Sequence, residues 1–226
     1  MAHATRLSAE EHARVTAAVS AAERGTDGEI VTVIAQRSDG YRDVPVQYAV
    51  LAMLVVLGLS AIWPSIIEAK IAWFTGGWGE PGLRDILVFL LLSQAVVFLA
   101  VRYAVAWTPL KIALTPRTTR SRRVRRRAVA LFRVAAEKRT ETRVGILLYL
   151  SLEERMAEIV ADEAIHQRVA NERWGDAMSA LVEHVRRGDT GGGMVAAVEE
   201  MATILKAEFP KSDGNPNELP DRLIEL

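Results

Sequence analysis

Two long apolar stretches constrain this chain more than any other feature. Residues 46–67 give 22 successive positions without a charged side chain, and residues 86–107 give another 22 in which Arg102 is the one charge. A helix rises about 1.5 Å per residue, so each stretch is long enough to cross a hydrocarbon core of roughly 30 Å. The sequence therefore predicts two transmembrane helices, at residues 46–67 and 86–107.

The flanking residues predict how these helices are connected and oriented. Residues 68–85 are rich in glycine and contain a proline, which is typical of a short turn-rich connection. Residues 108–127 carry eight basic side chains and no acid, whereas the connection has only Lys70 and Arg84. Because basic residues are retained on the cytoplasmic side, we expect a hairpin with both termini in the cytoplasm and the connection outside.

The arginine run has a second interpretation, as a surface for lipid headgroups. Each basic residue near an anionic membrane surface contributes about 1 kcal/mol. A nucleic-acid partner is not expected, because the run adjoins a predicted span and no aromatic stacking platform accompanies it. The candidate headgroup ligands are Arg122, Arg123, Arg125, Arg126 and Arg127.

The amino-acid composition excludes several kinds of functional site. The chain has no cysteine, which excludes a disulfide framework, a cysteine-ligated metal and a thiol nucleophile. The first fifteen residues lack the apolar core of a secretory signal peptide, so we expect the N-terminus to stay cytoplasmic.

The polar segments on either side of the hairpin predict helices and strands. Ser8 and Glu11 have the spacing of a helical capping box. Residues 29–36 form a β-branched run typical of a buried strand. Residues 144–150 and 156–161 are two further strands, and their short connection favours an antiparallel pair. Helical apolar spacing follows in three stretches, at residues 124–135, 174–188 and 195–209.

Neither polar segment makes a convincing domain alone, because the first contributes only one strand. We therefore predict an α/β (α+β) fold, a mixed β-sheet flanked by helices and interrupted by a transmembrane helical hairpin. Its two parts are residues 1–45 and 108–209. Residues 210–226 form a C-terminal tail with few apolar side chains, which we expect to pack on its own domain in preference to acting as a docking peptide.

Five short segments, in order along the chain, carry a family resemblance. They are residues 7–31, 38–43, 142–147, 159–165 and 217–221. Together they resemble the TPM domain family, in its bacterial form with an inserted transmembrane hairpin. The resemblance implies a compact α/β sandwich in a bacterial cytoplasmic membrane protein, and some TPM domains are associated with divalent-cation binding and weak acid-phosphatase activity.

Four carboxylates are the candidate ligands for calcium or magnesium, which prefer oxygen donors. Asp27 and Glu29 lead into the first strand, and Asp162 and Glu163 follow the third. If those strands run antiparallel, all four lie at one end of the sheet. The structural alternative assigns Asp27 to a turn, Asp162 to a helix cap and Glu163 to a helix N-terminus. Asp39 and Asp43 are weaker candidates, next to the first span.

Phosphatase chemistry needs a nucleophile, a general acid and cations, and no catalytic residue can be assigned to it. The four histidines are scattered. Residues 186–193 combine cations and glycines before a helix and are interpreted as a helix cap and turn, with anion binding as the alternative. Glu153 and Glu154 are expected in a solvated turn.

The sequence favours a membrane-anchored TPM-like domain of unassigned activity, interpreted as a non-enzymatic protein-binding or regulatory module with a divalent cation as candidate ligand. The alternatives are a weak metal-assisted acid phosphatase, using Asp162 and Glu29 as first ligands, and a membrane-associated sensor. The expected partners are the lipid bilayer and a protein. Two helices offer no pore unless copies of the chain associate, so a homo-oligomer stays open.

Overall fold

The computed structural model describes residues 7–76, 82–135, 144–212 and 221–226. They divide into two compact units. The first combines Met1–Asp39 with Arg117–Leu226, and the second is Gly40–Pro116. The second unit, which contains both apolar stretches, is thus an insertion in the sequence of the first.

The first unit contains the strands. Its elements are α1 (Ala9–Glu23), β1 (Glu29–Ala35), α6 (Arg117–Ala135), β2 (Gly145–Ser151), β3 (Met156–Ala161), α7 (Glu163–Arg168), a 3₁₀ turn (Asn171–Trp174), α8 (Gly175–Arg186), α9 (Thr190–Glu208) and β4 (Ile224–Glu225). The second unit contains α2 (Asp43–Ile62), α3 (Pro64–Thr75), α4 (Leu83–Ala104) and α5 (Thr108–Leu114).

The described strands form one mixed sheet with the order β3-β2-β1-β4. β1 runs parallel to both β2 and β4, while β2 and β3 form an antiparallel pair. The predicted mixed sheet and its antiparallel β2–β3 pair are confirmed. The predicted capping box is also present, since Ser8 Oγ accepts from Glu11 N–H at 3.2 Å and Ser8 N–H donates to Glu11 Oε2 at 2.8 Å.

Helices cover both faces of the sheet, which explains why β1 and β2 are apolar at nearly every position. One face, including Ile30 and Ile146, packs in the larger core with residues of α1, α8 and α9. The other face, including Val31 and Leu147, packs against α6, where Phe132 is among the buried side chains. Because successive side chains of a strand point to opposite faces of the sheet, neighbouring residues of β1 and β2 lie in different cores.

In the second unit, α2 and α4 form a helical hairpin. Near its open end, Tyr41 and Val44 join an apolar cluster with Val105 and Ile112. Near the closed end, the rings of Phe74 and Phe89 are 6.2 Å apart. Because the start of α2 lies beside the end of α4, these two helices run antiparallel, and α3 packs near the start of α4.

The helix bounds differ from the predicted spans. α2 begins at Asp43, and it ends at Ile62 because Pro64 cannot continue the hydrogen-bond ladder. Pro64 instead starts α3, so part of the predicted turn-rich connection is helical through Thr75. α4 begins and ends three residues before the predicted span. It begins early because Gly82 caps the helix, where its N–H donates to Asp85 Oδ2 at 3.1 Å.

The described end of the tail packs on the first unit, as predicted. Leu223 is buried in the larger core, and Leu226 N–H donates to Ile34 O at 2.9 Å. Gln36 N–H in turn donates to Leu226 O at 3.0 Å. The tail therefore ends as the edge strand β4, which was not predicted. Residues 213–220, including the start of the last resemblance segment, lie outside the described residues.

Candidate functional site

Two of the predicted metal ligands lie at the same end of the sheet. Glu29 is the register partner of Gly145, and its N–H donates to Val144 O at 3.0 Å. Asp162 follows β3, where its N–H donates to Gly145 O at 2.9 Å and its Oδ2 accepts from Gly145 N–H at 2.8 Å. Glu29 and Asp162 therefore flank the same glycine, as the antiparallel relation of β1 and β3 predicts.

The other two predicted ligands make different contacts. Asp27 Oδ1 accepts from Ser212 N–H at 3.0 Å. Glu163 is exposed at the start of α7, where its Oε1 accepts from Gln167 Nε2 at 3.3 Å. Asp162 occupies the N-cap position of α7 without a side-chain capping bond, because its carboxylate turns to Gly145. Among the described residues, no three histidine or acidic side chains are grouped closely enough to hold one ion.

Glu23 is a buried acid that the sequence interpretation missed. It lies in the last turn of α1, it is 5% exposed, and its Oε1 accepts from Ile30 N–H at 2.7 Å. Burial raises the pKa of Glu23 to about 8, and the neighbouring charges of Glu29 and Asp221 act in the same direction. Glu23 therefore holds a proton at neutral pH.

A sequence signal for Glu23 was present. Val15 and Val19 mark the buried face of α1, and Glu23 stands one further helical repeat along the same stripe. Its neighbour Asp221, in the tail, accepts from Ser20 Oγ on the same helix. The acids Glu23, Glu29 and Asp221 thus form an acidic cluster that joins α1, β1 and the tail.

Glu154 corrects the prediction of a solvated turn between β2 and β3. It is buried, its Oε1 accepts from Ser38 N–H at 2.9 Å, and Ser151 Oγ donates to its other carboxylate oxygen. Ser38 Oγ lies 3.0 Å from Tyr149 OH, whose pKa is raised by burial. The turn folds inward because Ser38, just after β1, supplies an N–H that needs an acceptor.

The start of α9 is a helix cap, as predicted for residues 186–193. Asp189 Oδ1 accepts from Gly192 N–H at 2.8 Å, and His184 Nδ1 lies 3.2 Å from Asp189 Oδ2. The Gly192 hydrogen bond lowers the pKa of Asp189. The chain's own carboxylate therefore occupies the place where an external anion would bind.

The predicted lipid-binding arginines lie on α6 but are not equivalent. Arg123 donates to Asp39 Oδ2 at 3.2 Å and its side chain is only 12% exposed, so both Arg123 and the candidate ligand Asp39 have a structural role. Arg125 donates to Glu158 Oε2 at 3.4 Å. Arg122, Arg126 and Arg127 are exposed.

A family model matches the larger part of the first unit. Residues 108–204 match the family model described as the TPM domain. Residues 108–204 are the part of the chain that belongs to the TPM domain family. The match begins at α5 and ends within α9, so it includes α6, β2 and β3.

A solved structure shares the fold of the chain. The NMR structure of the BA42 protein from the psychrophilic bacterium Bizionia argentinensis superposes with a TM-score of 0.56 at 17% sequence identity. The superposition covers 98% of this chain and 97% of that chain. No curated protein matches the sequence.

Two groups of buried polar side chains lie at opposite ends of the sheet. Glu23 and Glu29, at one end, offer the oxygen atoms that hard cations prefer. At the other end the hydroxyl of Ser151 is fully buried and hydrogen-bonded to Glu154, which suits a structural role. The end with Glu23 and Glu29 is therefore the better candidate site, where backbone carbonyls and water would complete the coordination of an ion.

Proposed function

We propose that this chain is a membrane-anchored TPM domain protein, held by its helical hairpin at the cytoplasmic face of a bacterial membrane, where the TPM domain acts as a protein-binding or regulatory module. The observation that carries the proposal is the outer surface of the hairpin. α2 and α4 are long and apolar enough to cross a membrane, and in their most apolar windows only 11% and 0% of residues are buried.

Exposed apolar side chains of this kind are costly in water. Leu91 is 70% exposed and Val96 is 66% exposed, and similar residues continue along both helices. Monomeric soluble proteins rarely expose such continuous apolar surfaces, whereas lipid chains solvate them well. A bilayer is therefore the environment that best fits this surface.

The antiparallel hairpin also supports the topology. Val44 at the start of α2 and Val105 after α4 lie in one cluster, so both connections to the TPM domain leave the hairpin at the same end. The two parts of the TPM domain then stand on one side of the membrane. The arginines of α6 favour the cytoplasmic side, because short basic segments are retained there.

Membrane fractionation tests the anchor. We expect the full chain, expressed in bacteria, to stay in the pellet after alkaline carbonate extraction. The double variant Leu91→Arg/Val96→Arg should lose this retention, because each charge near the middle of a span costs about 3 kcal/mol on insertion scales. Val182→Arg adds a charge at an exposed site of α8 and should behave as the wild type. Recovery of the wild-type chain as a soluble monomer would refute the anchor.

The binding role is supported by strand β3, which forms one edge of the described sheet. An edge strand offers backbone N–H and C=O groups for pairing with an added strand. A photo-crosslinking residue at Ala157 of β3 should capture the same protein reproducibly in cells, whereas one at Arg186 of α8 should not. Equal labelling from both positions would contradict a specific interface.

A divalent cation is the second candidate, suggested by the buried carboxyl groups of Glu23 and Glu29. Because no three acids of the described residues converge on one point, backbone carbonyls and water would complete the coordination of the ion. Because Glu23 is protonated at neutral pH, a cation at this site has to displace a proton. Calcium or magnesium should therefore raise the melting temperature more at pH 9 than at pH 6, because a ligand of the folded state stabilises it.

Two substitutions locate this cation effect. Glu23→Gln should abolish the rise, and Asp162→Ala tests whether the originally predicted ligand takes part. A melting temperature that does not respond to either cation at either pH would remove the cation proposal and leave the anchored module intact.

A further inference from the structure

The face of α6 that points away from the sheet is a second polar feature of the TPM domain. We infer that Arg122 and Arg126 on this face bind the phosphate groups of anionic phospholipids. The inference deepens the proposed membrane anchor, on which it rests, because it identifies the lipid class that the domain contacts.

Helical spacing places the arginines opposite the core. Val124, Ala128 and Phe132 are buried against the sheet. With about 100° per residue, Arg122 and Arg126 fall on the other side of the helix. A groove runs along that side, lined by Thr119, Arg122, Arg123, Arg125, Arg126, Val129, Ala130 and Arg133.

Four of the five arginines that line the groove fall into two classes. Arg123 and Arg125 have carboxylate partners in Asp39 and Glu158. Arg122 and Arg126 are exposed, and neither forms an ion pair with any residue in the described ranges. Like charges four residues apart on a helix repel each other, so this pair is stabilised when an anion lies between the two side chains.

The chemistry of the groove fits a phosphate group. Guanidinium groups donate two parallel hydrogen bonds to phosphate oxygens, a geometry that lysine cannot match. The small side chains of Val129 and Ala130 sit in the same groove. The lining contains no aromatic ring on which a nucleic-acid base would stack, so a lipid headgroup is favoured over a nucleic acid.

Chain continuity indicates the source of the phosphate. α4, the second helix able to span a membrane, ends at Ala104, and α6 begins at Arg117 after the short α5. Basic residues that follow a span so closely meet the negative potential of anionic headgroups. We therefore commit to phosphatidylglycerol-type lipids as the ligand.

Native mass spectrometry of the detergent-purified full chain tests the inference. The protein is incubated with equal amounts of phosphatidylglycerol and phosphatidylcholine, and retained lipid adducts are counted. The wild type should retain phosphatidylglycerol preferentially. Arg122→Gln/Arg126→Gln should weaken this retention by about thirtyfold, since each arginine contributes about 1 kcal/mol. Arg125→Gln should have a smaller effect, because Glu158 already pairs with that side chain.

The matched control is Arg186→Gln/Arg187→Gln, which removes the same charge from the exposed end of α8. An equal loss in this control would show that net charge alone attracts the lipid, and would overturn the inference. So would unchanged phosphatidylglycerol retention in Arg122→Gln/Arg126→Gln. Displacement of the lipid by equimolar inorganic phosphate would identify free phosphate as the ligand and overturn the commitment to lipid.

The two proposals fail in different ways. A chain that resists carbonate extraction but shows no preference for phosphatidylglycerol contradicts the lipid inference alone. A chain that carbonate extracts from the membrane contradicts the anchor, and the lipid inference with it.

Discussion

The carboxyl group of Glu23 accepts a hydrogen bond of 2.7 Å from the backbone N–H of Ile30. This contact links the end of α1 to the second residue of β1, across the turn that contains Thr26 and Gly28. Thr26 Oγ1 secures the same turn by accepting from Gly28 N–H at 3.0 Å and donating to Phe209 O. Together, the contacts of Glu23 and Thr26 therefore connect α1 and β1 to the end of α9.

The first prediction concerns pH. The pKa of Glu23 is raised from 4.5 to about 8, so the folded state binds this proton more tightly than the unfolded state. The resulting stabilisation is complete below pH 4.5 and is lost as pH rises through about 8. Glu23 should contribute a fall of up to about 1.4 kcal/mol per pH unit in the free energy of unfolding inside this window.

Glu23→Gln should flatten that slope, because glutamine keeps a carbonyl acceptor for Ile30 and does not titrate. Thermal melting of the full chain in detergent between pH 5 and pH 9 checks this. Glu200→Gln, at an exposed position of α9, should leave the slope unchanged. A steep wild-type slope that persists in Glu23→Gln would show that another group is responsible.

The second prediction concerns the Asp162–Gly145 contact. Asp162→Ala leaves the N–H of the buried Gly145 without its carboxylate acceptor. We expect a loss of about 1–3 kcal/mol in the free energy of unfolding, whereas Asp162→Asn keeps an oxygen acceptor and should lose less. Denaturant titration in detergent measures both variants. Equal stability of Asp162→Ala and wild type would mean that the contact does not stabilise the fold.

The third prediction concerns the tail. Leu223 is 5% exposed in the larger core, so Leu223→Ala should cost about 2–5 kcal/mol and detach β4 from β1. Hydrogen exchange at the amide of Gln36, which donates to Leu226 O, should then accelerate. Leu226→Ala removes a half-exposed side chain and should change exchange little. Retained protection of Gln36 in Leu223→Ala would show that β4 does not depend on this anchor.

Features set by local pattern were predictable from the sequence. The capping box of Ser8 and Glu11 depends on two residues three apart, and β1 and β2 are buried on both faces, so their continuous apolar runs identified them. The short β2–β3 connection predicted that β2 and β3 are antiparallel. The placement of Glu29 and Asp162 at one end of the sheet was predicted only on the condition that β1 and β3 run antiparallel, and the structure meets that condition.

Features set by distant contacts were not predictable. Strand β4 has two residues, too few for a periodic pattern, and it forms because β1 offers an edge. Glu154 looked like an exposed turn residue, and only the folded chain brings Ser38 to it. The predicted turn after the first span became α3 because Pro64 suits the first turn of a helix.

Membrane topology tests the central claim most directly. The chain has no cysteine, so single cysteines can be introduced at Gly82, the exposed N-cap of α4, and at Arg186, the exposed end of α8. A membrane-impermeant maleimide added to intact cells should label Gly82→Cys at once. Arg186→Cys should react only after the inner membrane is permeabilised. Labelling of Arg186→Cys in intact cells, or protection of Gly82→Cys, would contradict a cytoplasmic TPM domain held by a transmembrane hairpin.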